Sequence, residues 1–296
     1  MEKIDFHINE FLKRLDHSSI FDYYNKINQG KRLRSKLMLS ICNDEKIYKL
    51  CAIVECIHLA SLLHDDVIDN SLVRRGSASI NAIFGDKNAI MLGDILYSTA
   101  FYELCDYEKD ISKTISNAVS VLSSGELLDV ELSTRFNCDI DKYLEMIYRK
   151  TAVLIEASAK VAAILSNKNQ DKYSEYGKNL GIAFQIIDDL LDVSFDDKML
   201  GKPSFKDFSE GKSSMPYIFL FKELDDENKD KLLSLFKKEF NESDINWVKL
   251  KLKEHNIYEK VKNEAIKYAS LAKKSIQNED NEKLENIIDK MIFRNF

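Results

Sequence analysis

The stretch LLHDDVID, residues 62–69, ends a long apolar run with a histidine and three aspartates. Upstream of it, apolar side chains recur at three- and four-residue spacing, which predicts a helix over about residues 43–69. Asn43 and Asp44 are suitable N-cap residues for this helix. Such an apolar helix belongs in a core, where ionised carboxylates are unfavourable without partners. The stretch therefore predicts a core helix with a functional site at its C-terminal end.

The rest of the chain shows the same helical pattern and very few turn formers. It contains only 2 prolines and 9 glycines in 296 residues, and 45% of the residues are hydrophobic, enough for a large core. No segment shows sustained alternation with period two. Helical spacing recurs at about residues 88–105, 111–132, 139–166, 172–194, 214–223, 228–238 and 257–274. We predict an all-α fold with one domain over residues 1–296.

Charge, cysteine usage and hydropathy exclude several classes of protein. The net charge of -6 argues against a general nucleic-acid-binding protein. The five cysteines are odd in number and form no CxxC pair, which favours reduced thiols in the cytoplasm over disulfides or a zinc site. The N-terminus lacks the apolar region of a secretory signal, and no run is long enough to predict a transmembrane helix. We expect a cytoplasmic protein without a nucleic-acid partner.

Two acidic clusters have the same spacing, DDxxD, within apolar flanks. They are Asp65, Asp66 and Asp69 in the first and Asp188, Asp189 and Asp192 in the second. On a helix, residues four apart share a face, so the outer carboxylates of each cluster repel each other. Bound Mg²⁺ would remove this repulsion, since it prefers a few carboxylates together with water and phosphate oxygens. The alternative, two solvated acidic faces, fits the apolar flanks poorly.

Several cationic side chains elsewhere in the chain are candidates for binding a phosphorylated ligand together with the acidic clusters. The candidates are Lys31, Arg32 and Arg34 in GKRLR, Arg74 and Arg75 in VRRGS, Lys150 in YRKTA, and Lys202 and Lys212 around Asp207. Arginine suits diphosphate oxygens because its guanidinium binds them bidentately. His58 lies two helical turns before Asp65 and has either a structural role or a role in anion binding. His64 is a candidate for orienting the first cluster.

This order of motifs resembles the trans-isoprenyl diphosphate synthase family, the polyprenyl synthetases. GKRLR, IHxxSLLHDDVxD, RRG, KTA, FQIxDDxLD and GKxxxxDxxEGKxxxP follow one another over residues 30–216. Gln29, Ser35 and Phe205 stand where the family commonly has glycine, proline and glycine. The resemblance implies a bundle of long, mostly antiparallel helices around a central cavity, usually in a homodimer. It further implies that the two acidic clusters face each other across a pocket and share metal ions.

The resemblance also implies a role for each matching residue. The catalytic residues would be Asp65, Asp69, Asp188, Lys150 and Lys202. The ligands of about three Mg²⁺ ions would be Asp65, Asp66, Asp69, Asp188, Asp189 and Asp192. An allylic diphosphate would be held by Arg74, Lys150, Thr151, Gln185, Lys202 and Lys212. Isopentenyl diphosphate would be held by Lys31, Arg34, His58 and Arg75.

The helix before the first aspartates also predicts the length of the product. In the family, bulky aromatic side chains four or five residues before the first aspartate stop growth early, and here Ser61 and Ala60 are small. Cys56 and Ile57, one turn further down, are not aromatic either. The first aromatic residue is Tyr48, about 25 Å or five isoprene units below the aspartates. We predict a product of about C30–C40, suited to quinone side chains.

Three other activities fit part of this pattern. A short-chain farnesyl or geranylgeranyl diphosphate synthase shares the motifs, although Ala60 and Ser61 argue against farnesyl. A terpene cyclase also ionises diphosphates but needs no second diphosphate site. A non-catalytic subunit of a heteromeric synthase commonly lacks aspartates that are all present here. In each case we expect no membrane span, with transient membrane contact during product release.

Overall fold

The computed structural model describes residues 1–194, 205–277, 279 and 282–292, and most of them are helical. The first ten helices are α1 (Glu2–Lys13), α2 (Ser18–Tyr24), α3 (Leu33–Ile41), α4 (Lys46–Ile68), α5 (Ile80–Phe84), α6 (Asp86–Leu104), α7 (Lys109–Leu132), α8 (Ile140–Ile147), α9 (Val153–Leu165) and α10 (Gln170–Ser194). A π-helix, Tyr148–Ala152, joins α8 to α9. The described residues after α10 form α11 (Lys206–Ser209), α12 (Met215–Glu223), α13 (Asp226–Leu235), α14 (Glu242–Glu254), α15 (Ile257–Ser275) and α16 (Glu282–Ile292). The predicted all-α class is confirmed.

A small hairpin between α4 and α5 contains the two strands of the described residues. β1 (Val73–Arg74) pairs antiparallel with β2 (Ser77–Ala78). The two residues between them, Arg75 and Gly76, both have left-handed backbones, with φ of 52° and 72°. Positive φ at both central residues suits a type I′ hairpin turn. The sequence did not predict this hairpin, because two-residue strands are too short to show alternation.

The described chain divides into two compact units, and the first contains residues 1–119 and 157–174. Its central element is α4, which packs against α1, α3, α5 and α6. The N-cap of α4 is Glu45 and not the predicted Asn43 or Asp44. The side chain of Asp44, one residue earlier, accepts a hydrogen bond of 2.7 Å from the backbone N–H of Lys46 and so satisfies a free donor of the first turn. Gly93 on α6 lies against the imidazole ring of His64 on α4, where a Cβ atom would lie 2.3 Å from Nε2 and would displace the ring.

Helix α4 is also the one helix of the described chain that is long and apolar enough to cross a bilayer. However, 72% of its most apolar window is buried inside the protein. Burial of this extent is typical of a core helix, and it agrees with the sequence-based interpretation of residues 43–69.

The second unit contains residues 120–156 and 175–296. Here α12 packs against α8, α14 and α15, and α15 packs against α16. The second unit also contains a cluster of aromatic rings that contact one another; its members are Phe136, Phe205, Phe208, Tyr217, Phe221, Phe236 and Phe240. Phe205 is fully buried in this cluster although its backbone is left-handed, with φ of 61°. Glycine adopts this conformation without strain, which explains why the family commonly has glycine at this position.

Candidate active site

The first acidic cluster lies at the C-terminal end of α4, and its three carboxylates differ in exposure. Asp65 is partly exposed and Asp69, the C-cap residue, is partly exposed as well. Asp66 is buried, and its Oδ1 accepts a hydrogen bond of 2.7 Å from Nε of Arg74. Asn81 adds a hydrogen bond to the backbone oxygen of Asp66. Asp65 and Asp69 are therefore accessible to ligands, whereas Asp66 binds Arg74 of the β1–β2 hairpin.

Arg34, His58 and Arg75 lie close together in the first unit, as the family resemblance implies. Burial and the nearby Arg75 lower the pKa of Arg34 to about 10, although Glu55 opposes the shift. The buried Nε of Arg34 has no hydrogen-bond partner among the described residues. A buried donor without a partner is costly, and a bound anion would satisfy it. Lys31 is exposed.

Glu55 is a buried carboxylate that the sequence interpretation missed. It lies on α4 one turn before His58, is only 5% exposed, and accepts a hydrogen bond from Oγ of Ser35. Its negative charge raises the pKa of Arg34 and of Arg75. Glu55 therefore offsets part of the positive charge in this group. A single acidic residue within the apolar run of α4 was the available sequence signal.

We expect His58 to make the stability of the folded protein fall below neutral pH. Burial, followed by the charges of Arg34, Arg75 and Arg74, lowers the pKa of His58 well below 6.5. The unfolded chain then binds a proton below pH 6.5 that the folded chain does not bind, so stability is lost as pH falls from 6.5 toward the folded pKa. His58→Gln should therefore lose less Tm than the wild type between about pH 7.5 and 5.5. The exposed His17 supplies the control, because His17→Gln should follow the wild type.

The residues predicted to control product length lie on α4 within the hydrophobic core. Ala60, Cys56 and Ile57 are fully buried, and Oγ of Ser61 donates a hydrogen bond of 2.9 Å to the backbone oxygen of His58. Tyr48 lies twelve residues from Ala60, which is about 120° around the helix. Its ring lies 4.6 Å below Nζ of Lys3 on α1. Tyr48 therefore lies on a different face of α4 from Ala60.

In the second unit, the π-helix Tyr148–Ala152 presents Lys150 and Thr151. A π-turn places one extra residue in the helix and often marks a functional site. Two glycines allow other segments to touch its backbone: a Cβ on Gly125 would lie 2.4 Å from the backbone nitrogen of Lys150, and a Cβ on Gly181 would lie 2.5 Å from Cα of Ala152. The π-helix is therefore packed backbone to backbone against α7 and α10.

Lys150 is held by two buried acidic residues of α7 that the sequence interpretation also missed. Its Nζ lies 2.8 Å from Oε2 of Glu126 and 2.6 Å from Oδ2 of Asp129. Both carboxylates are almost completely buried. This arrangement fixes the position of the ammonium group. The GELLD segment carries both acids, but without knowledge of the fold nothing connects it to Lys150.

A chain of hydrogen bonds links the π-helix to the second acidic cluster. Oγ1 of Thr151 donates to Oε1 of Gln185 at 2.9 Å, and Nε2 of Gln185 donates to Oδ1 of Asp189 at 2.8 Å. The buried hydroxyl of Tyr143 donates to Oδ2 of Asp189 at 2.6 Å. Burial and the neighbouring Asp207 raise the pKa of Asp189 to about 8, although Tyr143 and Gln185 oppose the shift. The carboxylate of Asp189 is thus buried and bonded to residues of its own unit, as the carboxylate of Asp66 is bonded to Arg74.

The other residues of the second cluster differ in accessibility. Asp188 is exposed, whereas Asp192 is buried and its backbone oxygen accepts a hydrogen bond from Phe205. Nζ of Lys212 lies 3.0 Å from Oε2 of Glu210. Lys202 lies outside the described residues. Within the part of the chain that is described, no three His, Cys, Asp or Glu side chains are grouped closely enough to hold a metal ion by themselves.

Known proteins with this arrangement are prenyl diphosphate synthases. The polyprenyl synthetase family model matches residues 17–250. A geranylgeranyl diphosphate synthase from Saccharolobus solfataricus is 35% identical over 260 residues, which cover 82% of this chain and 78% of the relative. The crystal structure of octaprenyl pyrophosphate synthase from Helicobacter pylori matches with a TM-score of 0.95 and 44% identity, covering 99% of this chain and 98% of the other. A polyprenyl synthase from Caulobacter crescentus, complexed with calcium and isoprenyl diphosphate, matches with a TM-score of 0.84 and 27% identity, covering 98% of both chains.

Fold, motifs and comparisons together define an all-α prenyl-transferring enzyme with the isoprenoid synthase fold. The chain belongs to the polyprenyl synthetase family. It is a prenyltransferase of the trans-polyprenyl diphosphate synthase type.

Proposed function

We propose that the enzyme condenses isopentenyl diphosphate with an allylic diphosphate, head to tail and with Mg²⁺, to form a trans-polyprenyl diphosphate of about C30–C40. The observation that carries this proposal is the pair of cationic side chains, Arg34 and Arg75, close to His58, together with the buried Nε of Arg34, which has no hydrogen-bond partner among the described residues. A terpene cyclase does not need a second site for a diphosphate. The solved relative complexed with calcium and isoprenyl diphosphate supports a divalent metal and this class of substrate.

The accessible donors fit a hard divalent cation. Asp65 and Asp69 lie one turn apart and are partly exposed, and Asp188 is exposed in the other cluster. Carboxylate oxygens are ligands that Mg²⁺ accepts together with phosphate oxygens and water. When bound, Mg²⁺ would neutralise charge on the leaving diphosphate. Asp65, Asp69 and Asp188 would supply direct ligands, and Asp66, Asp189 and Asp192 would complete the clusters.

The residues of the chain position two diphosphates and stabilise charge. The allylic diphosphate would be held by Lys150, Thr151, Gln185, Arg74, Lys202 and Lys212. Isopentenyl diphosphate would be held by Lys31, Arg34, His58 and Arg75. The allylic C–O bond breaks and its electron pair leaves with the diphosphate, whose charge the cationic side chains stabilise. The isopentenyl double bond attacks the allylic cation to form the new C–C bond, and a proton passes to the released diphosphate. No side-chain base is required.

One assay tests this function and separates it from the alternatives. Purified protein is incubated with Mg²⁺, farnesyl diphosphate and labelled isopentenyl diphosphate, and butanol-extracted products are separated against chain-length standards. We expect label in prenyl diphosphates of about C30–C40, and EDTA should abolish incorporation. Incorporation by this chain alone excludes the non-catalytic subunit, whereas cyclised, diphosphate-free products would show a cyclase.

The length of the product is expected to depend on Ala60. Relatives range from a geranylgeranyl to an octaprenyl diphosphate synthase, so membership of the family does not set it. Ala60 is fully buried and Ser61 is nearly so. Because both side chains are small, no bulky side chain lies one turn before the aspartates. Ala60→Phe should shorten the products to about C15, or three isoprene units, because the ring occupies the path of the chain. An unchanged product profile would show that this face of α4 does not line the path.

We further propose a cytoplasmic homodimer that contacts the membrane only transiently during product release and serves quinone side-chain synthesis. The high similarity to an octaprenyl pyrophosphate synthase supports the product class. Light scattering of the purified protein measures the oligomeric state.

A further inference from the structure

The loop before α3 and the hairpin after α4 are joined by reciprocal hydrogen bonds between Asn28 and Arg75. Nη1 of Arg75 donates to the backbone oxygen of Asn28 at 2.8 Å. In return, Nδ2 of Asn28 donates to the backbone oxygen of Arg75 at 3.2 Å and to Oγ of Ser77 at 3.4 Å. The guanidinium and the backbone of Arg75 are therefore both held by the same residue.

Gly30 adds a steric component to this contact. A Cβ atom at position 30 would lie 2.5, 2.6 and 2.7 Å from Nη2, Cζ and Nη1 of Arg75. The backbone of Gly30 is not left-handed, so conformation alone does not require glycine here. Instead, the guanidinium of Arg75 lies directly on the Gly30 backbone, so an added Cβ would force the guanidinium to move.

The hairpin turn fixes the backbone from which Arg75 projects. Arg75 has a φ of 52°, a conformation that a residue with a Cβ adopts only at a cost. Strain of this kind persists where surrounding contacts hold the residue in place. Asn28 provides such contacts, and Asn28, Asp66, Arg74 and Arg75 line one pocket of the first unit. The turn and the contacts of Asn28 therefore fix the backbone from which the guanidinium of Arg75 projects.

We propose that Asn28 and Gly30 are positioning residues that preorganise Arg75 for the diphosphate of isopentenyl diphosphate. This inference rests on the proposed function, because that function assigns Arg75 to this substrate. Neither Asn28 nor Gly30 needs to touch the substrate. Their effect is on the free energy of binding this one diphosphate, since an unheld guanidinium must be ordered when the ligand binds.

The test compares steady-state kinetics of Asn28→Ala, Gly30→Ala, Arg75→Ala and the double variant Asn28→Ala/Arg75→Ala. Asn28→Ala removes the two side-chain hydrogen bonds to the backbone oxygen of Arg75 and to Oγ of Ser77, and it keeps the backbone oxygen that accepts from the guanidinium. We expect it to raise KM for isopentenyl diphosphate about fivefold, because the backbone from which Arg75 projects is no longer held, and to leave kcat and the allylic KM unchanged. Gly30→Ala should raise the same KM about tenfold or more, because it displaces a charge-assisted contact. Asn25→Ala is the matched control, since this exposed asparagine makes no side-chain hydrogen bond to the described residues.

The double variant distinguishes positioning from general stability. If Asn28 acts through Arg75, removing Asn28 has little further effect once Arg75 is alanine, so the two KM changes are not additive. Additive effects, or an equal rise in both substrate KM values, overturn the inference while the enzyme stays active. A wild-type enzyme that forms no condensation product overturns the proposed function itself, and this inference with it.

Discussion

Asp65→Asn is expected to lower kcat by about 10³-fold, equivalent to about 4 kcal/mol, and to leave the Tm unchanged or slightly raised. The amide is a poor ligand for Mg²⁺, so the leaving diphosphate loses charge stabilisation. At the same time, the side chain of Asp65 makes no hydrogen bond or ion pair with the described residues, and Asp69 lies one turn away on the same face. Removing the charge therefore relieves repulsion without breaking a structural contact.

The neighbouring Asp66 provides the contrast for this experiment. Asp66→Asn weakens the buried contact with Nε of Arg74 and should cost about 1–3 kcal/mol of stability, visible as a lower Tm. The exposed Asp22 serves as the surface control, and Asp22→Asn should change neither property. Full activity of Asp65→Asn would contradict its assignment as a metal ligand.

Local patterns explain why the core helix and the position of the acidic clusters were predictable. The apolar period of α4 depends on neighbours only a few residues away, and the predicted helix agrees with the structure apart from its first residues. The predicted N-cap was wrong, because the helix begins at Lys46 and its N-cap is Glu45 rather than Asn43 or Asp44. The span of α14 (Glu242–Glu254) was not predicted, because its apolar residues do not form a clear helical stripe; of them only Val248 and Leu252 are buried.

Within each acidic cluster, sequence spacing did not reveal which carboxylates are available. The second aspartate of each motif, Asp66 or Asp189, is buried and bonded to residues of its own unit, whereas Asp65 and Asp188 are accessible. The sequence treats all of these aspartates alike, because their partners Arg74 and Tyr143 are recognised only in three dimensions. That the two clusters face each other stays a prediction.

The partners of Lys150 were unpredictable for the same reason. YRKTA identifies Lys150 and Thr151 by resemblance, but Glu126 and Asp129 lie more than twenty residues earlier. The π-helix that presents these residues has no sequence signature in the 139–166 pattern, which predicts an uninterrupted helix. Its packing depends on Gly125 and Gly181, whose role is visible only from the backbone atoms that a Cβ would meet.

Gly181→Ala is expected to destabilise the fold by about 1–3 kcal/mol and to lower kcat/KM for the allylic substrate about 100-fold. In an open helix, the same substitution stabilises by about 1 kcal/mol, because alanine favours helix more than glycine does. Here the new Cβ would lie 2.5 Å from Cα and 2.7 Å from Cβ of Ala152, so α10 must move away from the π-helix. Gln185, one turn further along α10, then loses its hydrogen bond with Thr151.

Thermal melts and steady-state kinetics of the single variants measure both effects. Gly125 contacts the π-helix from α7, and a Cβ atom there would lie 2.4 Å from the backbone nitrogen of Lys150. Gly125→Ala should therefore also lower the stability and kcat/KM for the allylic substrate. Combining Gly181→Ala with Ala152→Gly removes the contact at 2.7 Å but leaves the one at 2.5 Å, so rescue should be small. If Gly181→Ala raises the Tm and keeps wild-type activity, the helix preference of alanine outweighs this contact, and the position of Thr151 is set by other residues.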